Sequence, residues 1–248
     1  MEVHHHTQTP RKKWSHYFWE FFMLFLAVFC GFLAENRRES IVEKRREKEY
    51  IGSLIEDIRL DNHELHSSIT LHSSVIKRID SLFEIFKSGD WRNRTSDIYF
   101  IIRRSTRTTN FYYHDRTIQQ LKNSGGLRLI HNIHISNEII KYDAEVRKLL
   151  SLQERVDDSR GKIRENATII FDPLVLYDMV KETSDDFEIS KPSGNPPIKK
   201  PELLQETLGE LHYLRNISVA TSRLQQKIIN YGNDLATLLA NEYNLKKD

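Results

Sequence analysis

Residues 50–86 read YIGSLIEDIRLDNHELHSSITLHSSVIKRIDSLFEIF, and their spacing decides the fold class. Ile51, Ile55, Ile58, Leu65, Ile69, Ile76, Ile79, Phe83 and Phe86 recur at steps of three, four and seven. Apolar residues spaced in this way share one stripe of an α-helix. Asn62 and His72 occupy polar places in the stripe. In a heptad-like seam such residues set register and partner choice, and a histidine there is read first as a satisfied core residue.

The same periodicity continues towards the C-terminus. The SGD run at Ser88, Gly89 and Asp90 ends the first helix, with Gly89 suited to follow its last turn. A short helix is expected from Ser96, then another before a turn at Gly125 and Gly126. A long helix follows, in which Ile139, Tyr142, Val146, Leu149, Val156, Ile163 and Ile170 form the stripe, with Gln153 and Arg160 as polar intrusions. Asp172–Pro173 breaks it. Residues 184–201 contain four of the six prolines and no apolar periodicity, which predicts an exposed irregular loop open to protease. The last long helix carries Leu204, Leu208, Leu211, Leu214, Ile217, Leu224, Ile228, Tyr231, Leu235 and Leu238, with Thr221 inside the stripe. Leu121, Leu127, Leu129 and Ile130 are expected to bury together around the glycine turn, continued by Ile133 and Ile139. The fold class is therefore all-α: an antiparallel, coiled-coil-like helical bundle.

Towards the N-terminus the composition changes. Residues 21–34, FFMLFLAVFCGFLA, carry no charge, and extension back to Tyr17 admits only Glu20. Eighteen residues at ~1.5 Å each span ~27 Å, close to the ~30 Å hydrocarbon core of a bilayer. Trp14, Tyr17 and Trp19 stand at one end, where aromatic rings favour the interface. Phe21, Phe22, Leu24, Phe25, Leu26, Phe29, Phe32 and Leu33 supply the apolar surface. A cleaved signal peptide wants small residues at −3 and −1 of the cut, and Phe32 stands three places before the junction that Ala34 would end. The reading is an N-terminal transmembrane helix that is retained. Four segments follow from it: a polar His/basic tail over 1–13, the transmembrane helix over 14–34, a charged juxtamembrane helix over 35–49, and the bundle domain over 50–248.

The compact Arg11-Lys12-Lys13 cluster reads as the flank that stays inside. The basic residues after the segment are interleaved with Glu35, Glu39, Glu43, Glu47 and Glu49, as on a solvated helix face. The expected location is the inner (cytoplasmic) membrane, single-pass, with the C-terminal domain extracytoplasmic. Charge adds an exclusion: 37 basic against 35 acidic residues leave a net charge of +2, too balanced to steer nucleic acid. The single cysteine, Cys30, lies in the apolar run, so no intrachain disulfide forms.

The opening, MEVHHH followed by RKKWSHYFWEFFMLFLAVFCGFLAENRRE, together with EKEYIGSLIEDI, resembles the start of a group of single-pass membrane proteins from Bacteroidota. Residues 111–142, with the pattern F-x₅-T-x₃-L-x₂-SG-x-LRLI, are similar to the central motif of that family. The resemblance implies a membrane location and brings no activity, substrate or catalytic residue with it.

Candidate chemistry is sparse. His4, His5 and His6 form a short run, and imidazole suits zinc, copper or nickel, yet three consecutive side chains cannot all face one ion in a regular element. His63/His66 and His131/His134 are H-x-x-H pairs, which share a helix face. The i, i+4 spacing with an intervening Glu that marks a zincin is absent. Arg103, Arg104 and Arg107 near Phe100 suggest base stacking, but three arginines without a wider basic face read as solvated surface. Tyr112, Tyr113 and His114 read as core aromatics near a turn. Gly125–Gly126 lacks the Lys and hydroxyl of a phosphate loop. No cofactor motif is present, so the expected function is non-enzymatic: a binding or scaffold module at the membrane surface. Its partners would be the lipid bilayer and, through the helical seams, a second copy or a partner membrane protein. The alternative is a membrane-anchored sensor or metal-dependent enzyme with a histidine site in the bundle.

Overall fold

A computed structural model describes residues 14–107, 110–182 and 187–245. It is an all-α protein. Its helices are α1 (Trp14–Lys87), α2 (Thr95–Ser105), α3 (Arg116–Asn123), α4 (Ile133–Ile170), α5 (Pro173–Asp178) and α6 (Leu204–Glu242). A two-stranded antiparallel ribbon, β1 (Val180–Glu182) and β2 (Phe187–Ile189), pairs Val180 with Ile189. The chain divides into two compact units, one ending at Glu49 and one running from Tyr50. Helix α1 contributes to both.

In the first unit α1 is long and apolar enough to cross a membrane. One 18-residue window has mean hydropathy 1.9 and no buried share. Every residue expected to face lipid points outward: Trp14, Tyr17, Trp19, Phe21, Phe22, Leu24, Phe25, Leu26, Phe29, Phe32 and Leu33 are all exposed. The free thiol of Cys30 is exposed among them. Beyond this run the helix is charged, and solvated pairs such as Arg38–Glu35 and Arg45–Glu49 link neighbouring turns.

The second unit is built on a three-helix frame. Ile51, Leu54, Ile58 and Leu65 of α1 pack with Ile139, Val146 and Leu149 of α4 and with Ile228, Leu235 and Leu239 of α6. Further along, Val75, Ile79 and Leu82 meet Val156, Ile163 and Ile170 of α4 and Leu204, Leu211 and Leu214 of α6. The order of these contacts gives the topology. Helix α6 runs antiparallel to the other two, whereas α1 and α4 run the same way. The expected antiparallel bundle thus contains one parallel pair. The crossover between them is made by α2 and α3: Ile98 and Ile102 lie in one apolar cluster, and Phe111, Ile118 and Leu121 lie in the other.

The seam of α1 differs from the sequence reading in one row. The buried positions are Ile51, Ile58, Leu65, His72 and Ile79 together with Leu54, Asp61, Ser68, Val75 and Leu82. The second set lies one residue before the expected Ile55, Asn62, Ile69, Ile76 and Phe83 row, of which Ile55 is buried as expected and the others are only partly buried. Asp61 and Ser68 are polar, so apolar spacing alone selected the flanking row. In α6 the same slip places Leu239 inside and leaves Leu238 at the surface.

Close approach shapes the contact between α6 and α1. A Cβ on Gly232 would meet Ile58 Cγ2 at 3.1 Å, Asn62 Oδ1 at 3.2 Å and Tyr142 Cε2 at 3.3 Å, so glycine lets the three helices close up there. At the other special glycine, Gly125 adopts φ +70°, a left-handed conformation that costs other residues free energy. The 3₁₀ turn Gly126–Leu129 follows it. The leucine knot expected around this turn is only partly formed. Leu121 and Ile130 are buried, Leu127 packs from the side, Leu129 is half-buried, and Ile133 is 72% exposed. The bend after Ile130 and the cap at Asn132, whose side chain accepts from the His134 N–H at 3.1 Å, turn Ile133 outward.

The described part of the proline-rich stretch is irregular and mostly exposed, as expected, and it is tied to the bundle at several points. Ser96 Oγ donates to the Pro192 carbonyl at 2.9 Å, Tyr99 Oη donates to the Pro197 carbonyl at 3.0 Å, and the Lys199 N–H donates to the Ile170 carbonyl at 2.8 Å. Ile189 is 3% exposed. Prolines have no N–H to donate, but their carbonyls remain acceptors. That is how a segment without periodicity is held down.

Candidate functional site

Three polar assemblies lie within the second unit. The first is an acidic ladder on α1. Asp57, Asp61 and Glu64 stand four and three residues apart, on one helix face. Asp57 Oδ2 accepts from the Thr117 N–H at 3.0 Å, Asp61 Oδ1 from the His114 N–H at 2.9 Å, and Glu64 Oε2 from the Tyr112 N–H at 3.0 Å. From α4, Gln153 Oε1 accepts from the Phe111 N–H at 3.1 Å. These side chains supply the hydrogen bonds that an irregular buried backbone needs. Tyr142 Oη donates to Asp61 Oδ2 at 2.9 Å, and the His114 ring lies 3.0 Å from Asp61 and 3.7 Å from Glu64. Burial pushes the Asp61 carboxyl above its usual range, although its bonds from His114 and Tyr142 oppose that.

Beside it, Asp143 of α4 accepts from Tyr113 Oη at 3.1 Å and Arg147 Nε at 3.0 Å, and pairs with Lys122. Burial is the largest single influence on Asp143 and acts upward. Lys122 and Arg147 together outweigh it and hold the carboxyl below the usual range. Burial pushes the phenols of Tyr113 and Tyr142 well up, and the adjacent carboxylates add to the effect. The ladder consumes its carboxylates in holding the chain from Phe111 to Thr117 against α1 and α4. The signal was present in IEDIRLDNHE, where acidic residues fall on the buried face.

The second assembly is a polar waist between the two apolar clusters. Ser68 and His72 from α1, Ser159 and Arg160 from α4, and Ser218, Thr221 and Gln225 from α6 are all buried. Gln225 Nε2 donates to Ser68 Oγ at 2.8 Å. His72 Nδ1, Arg160 Nε, Ser159 Oγ, Ser218 Oγ and Gln225 Oε1 have no hydrogen-bond partner within the protein. Burial first, and the Arg160 charge second, lower the His72 pKa to about 4. Arg160, 2% exposed, is pulled below the usual arginine range by burial, while Asp157 at 3.5 Å acts the other way.

The third assembly is a cleft of 290 Å³ walled by Arg103, Thr106, Arg107, Arg164, Phe187 and Ile189. It adjoins a smaller space of 140 Å³ that shares Arg103, Thr106 and Arg164 and adds Ala167, Phe171 and Leu176. Helices α2 and α4 bring the arginines together, 61 residues apart in sequence between Arg103 and Arg164. Arg164 Nη1 donates to the Thr106 carbonyl at 3.1 Å. The Arg107 guanidinium lies 4.7 Å from the centre of the Phe187 ring. The sequence showed Arg103, Arg104 and Arg107 close together, the first two in α2 and the third just beyond it. Arg164 could not be joined to them without the fold.

The histidines of the sequence reading do not assemble. His63, His66, His131 and His134 are exposed, and His131 Nδ1 lies 2.8 Å from the Leu129 carbonyl. Among the described residues no group of three or more His, Cys, Asp or Glu side chains could hold a metal ion. His4, His5 and His6 lie outside the described residues. Gly125 and Gly126 form the turn expected of them. Tyr112 is 71% exposed, while Tyr113 and His114 are held by Asp143 and Asp61. No family model, no curated protein and no solved structure matches this chain.

Proposed function

We propose that the chain is a single-pass, membrane-anchored helical module that binds a partner or ligand rather than transforming one. The carrying observation is the run of large apolar side chains on α1, uniformly exposed over a window of mean hydropathy 1.9 with no buried share. At ~25 cal/mol per Å², such a surface is costly in water, and lipid is the solvent that removes the cost. The anchor lies in the inner membrane with the bundle domain extracytoplasmic, a reading supported by the basic cluster at Arg11, Lys12 and Lys13. The Bacteroidota resemblance agrees with that location. In the bundle, the buried carboxylates Asp57, Asp61 and Asp143 are engaged by backbone and side-chain donors of the fold itself, which suits a rigid binding scaffold.

The test is alkaline carbonate extraction of membranes carrying the full chain and a variant lacking residues 14–34. The full chain is expected in the pellet and the truncated chain in the supernatant. Release of the full chain by carbonate would overturn the anchor.

A further inference from the structure

In the cleft between α2, α4 and β2, Arg164 is tied to the Thr106 carbonyl and Arg107 to the Phe187 carbonyl, whereas Arg103 Nε has no hydrogen-bond partner in the protein. Guanidinium groups collect around it in a layer. Arg103 and Arg164 wall both of its compartments. Arg78 and Arg104 line the neighbouring surface with Arg107. Arg160 stands one helical turn before Arg164 and is almost fully buried. Like charges so grouped repel. Burial is the main cause that pulls the Arg78 charge below the usual arginine range, with Arg104 adding to it, and Arg164 acts on Arg160 in the same sense. Arg103 Nε and Arg78 Nε are buried with no partner in the protein, and a buried donor left unpaired carries a desolvation cost. An anion placed between Arg103 and Arg164 would offset the Arg164 charge that acts on Arg160 and would offer the unpaired Arg103 an acceptor. Guanidinium is the side chain best shaped for that purpose, since its planar fork matches carboxylate and phosphate oxygens.

The second compartment specifies more than charge. Ala167, Phe171 and Leu176 give it an apolar wall directly beyond the same two arginines. At 140 Å³ it accommodates a short alkyl or aromatic group and not a long acyl chain. Phe187, beside Arg107, presents a ring at the mouth of the larger compartment.

We propose that this cleft binds a small amphiphilic oxyanion: a carboxylate or phosphate head held by Arg103 and Arg164, with a short apolar tail against Phe171 and Leu176. The inference deepens the reading of the bundle as a binding module and is independent of the membrane anchor, so carbonate extraction and the present test fail separately. The two possible heads share one chemistry and are separated by the choice of probe.

The experiment is calorimetric titration of the full chain in neutral detergent micelles with hexyl phosphate, hexanoate and inorganic phosphate. Saturable binding is expected for at least one hexyl probe, about tenfold or more tighter than for inorganic phosphate, because apolar burial adds to the head contact. The tighter of hexyl phosphate and hexanoate names the head. Arg103→Gln and Arg164→Gln should each weaken that probe by about tenfold or more, the scale of a lost charge-assisted pair. Leu176→Trp, which fills the apolar compartment and leaves the arginines in place, should reduce the hexyl probe to the affinity of inorganic phosphate. Far-UV circular dichroism and melting without ligand check each variant. If an arginine variant does not fold, the Leu176→Trp comparison decides alone. Absence of saturable heat with all three probes up to about 10 mM, tenfold above a millimolar Kd, would overturn the proposal. So would tight binding of a hexyl probe that Leu176→Trp leaves unchanged.

Discussion

Replacing His72 with Gln should flatten the acid dependence of the protein's stability. In the folded chain His72 is 5% exposed, and burial lowers its pKa from the ordinary 6.5 to about 4, with the Arg160 cation acting in the same direction. From α6 the neighbouring waist group is the neutral Gln225, and Asp157 is engaged by Arg160. The unfolded chain takes up a proton near pH 6.5, while the folded chain refuses it until about pH 4. The contribution of His72 is therefore fully present above pH 6.5 and is lost as pH falls towards about 4. At about 1.4 kcal/mol per pKa unit, the loss amounts to roughly 3 kcal/mol, a large share of a typical ~5–15 kcal/mol stability. Asp61 works in the opposite sense. Its carboxyl is raised by burial, so its contribution is present at low pH and is lost as pH rises through its folded pKa. Asp143, held low, loses its contribution only below about the ordinary carboxylate value. Comparing variant with wild type cancels both. The assay is urea unfolding of the full chain in micelles, followed by circular dichroism, at pH 7 and at about pH 4.5. Between these values wild type should lose roughly 2–3 kcal/mol more than His72→Gln. Parallel losses in the two proteins would refute the buried, neutral histidine.

Three further substitutions probe packing. Leu121→Ala, at a fully buried site, should cost ~2–5 kcal/mol in the same unfolding assay, whereas Leu129→Ala at the half-buried edge of the turn should cost clearly less. Equal costs would mean that the turn packs differently. Gly232→Val places a branched side chain against Ile58, Asn62 and Tyr142 and should cost ~1–3 kcal/mol through overpacking; a neutral effect would show that α6 has room to retreat.

The helical period of the bundle was legible in its apolar residues, and the face was nearly so. Reading Ile69 and Ile76 instead of Ser68 and Val75 moved one row of the α1 seam by a single residue, although Ile55 is buried beside Leu54. The cause is physical: Asp61 and Ser68 are buried because they have partners, and hydropathy does not register partners. The direction of α4 was not legible. It depends on how far α2 and α3 carry the chain back along the bundle, which is set by contacts such as Phe111 and Ile118 rather than by period. The tethers of the proline-rich stretch were not legible, because the Pro192 and Pro197 carbonyls accept from Ser96 and Tyr99 and the Lys199 N–H donates to Ile170, and sequence pattern carries no record of such partners. The exposed aromatic face of the first unit, by contrast, was readable from its uncharged apolar run. The arginine cleft was half readable. Arg103 and Arg107 are near neighbours in sequence, but Arg164 and Leu176 join them only through the fold.

The central claim, that the exposed face of α1 meets lipid, can be tested at the chain's own single cysteine. Cys30 is exposed in the middle of the apolar run. A nitroxide attached there in the full chain, reconstituted into bilayers, reports collision with oxygen, which concentrates in hydrocarbon, and with a water-soluble nickel chelate, which does not enter it. The account predicts strong relaxation by oxygen and little by nickel. Strong relaxation by nickel with little by oxygen would place Cys30 in water and contradict it.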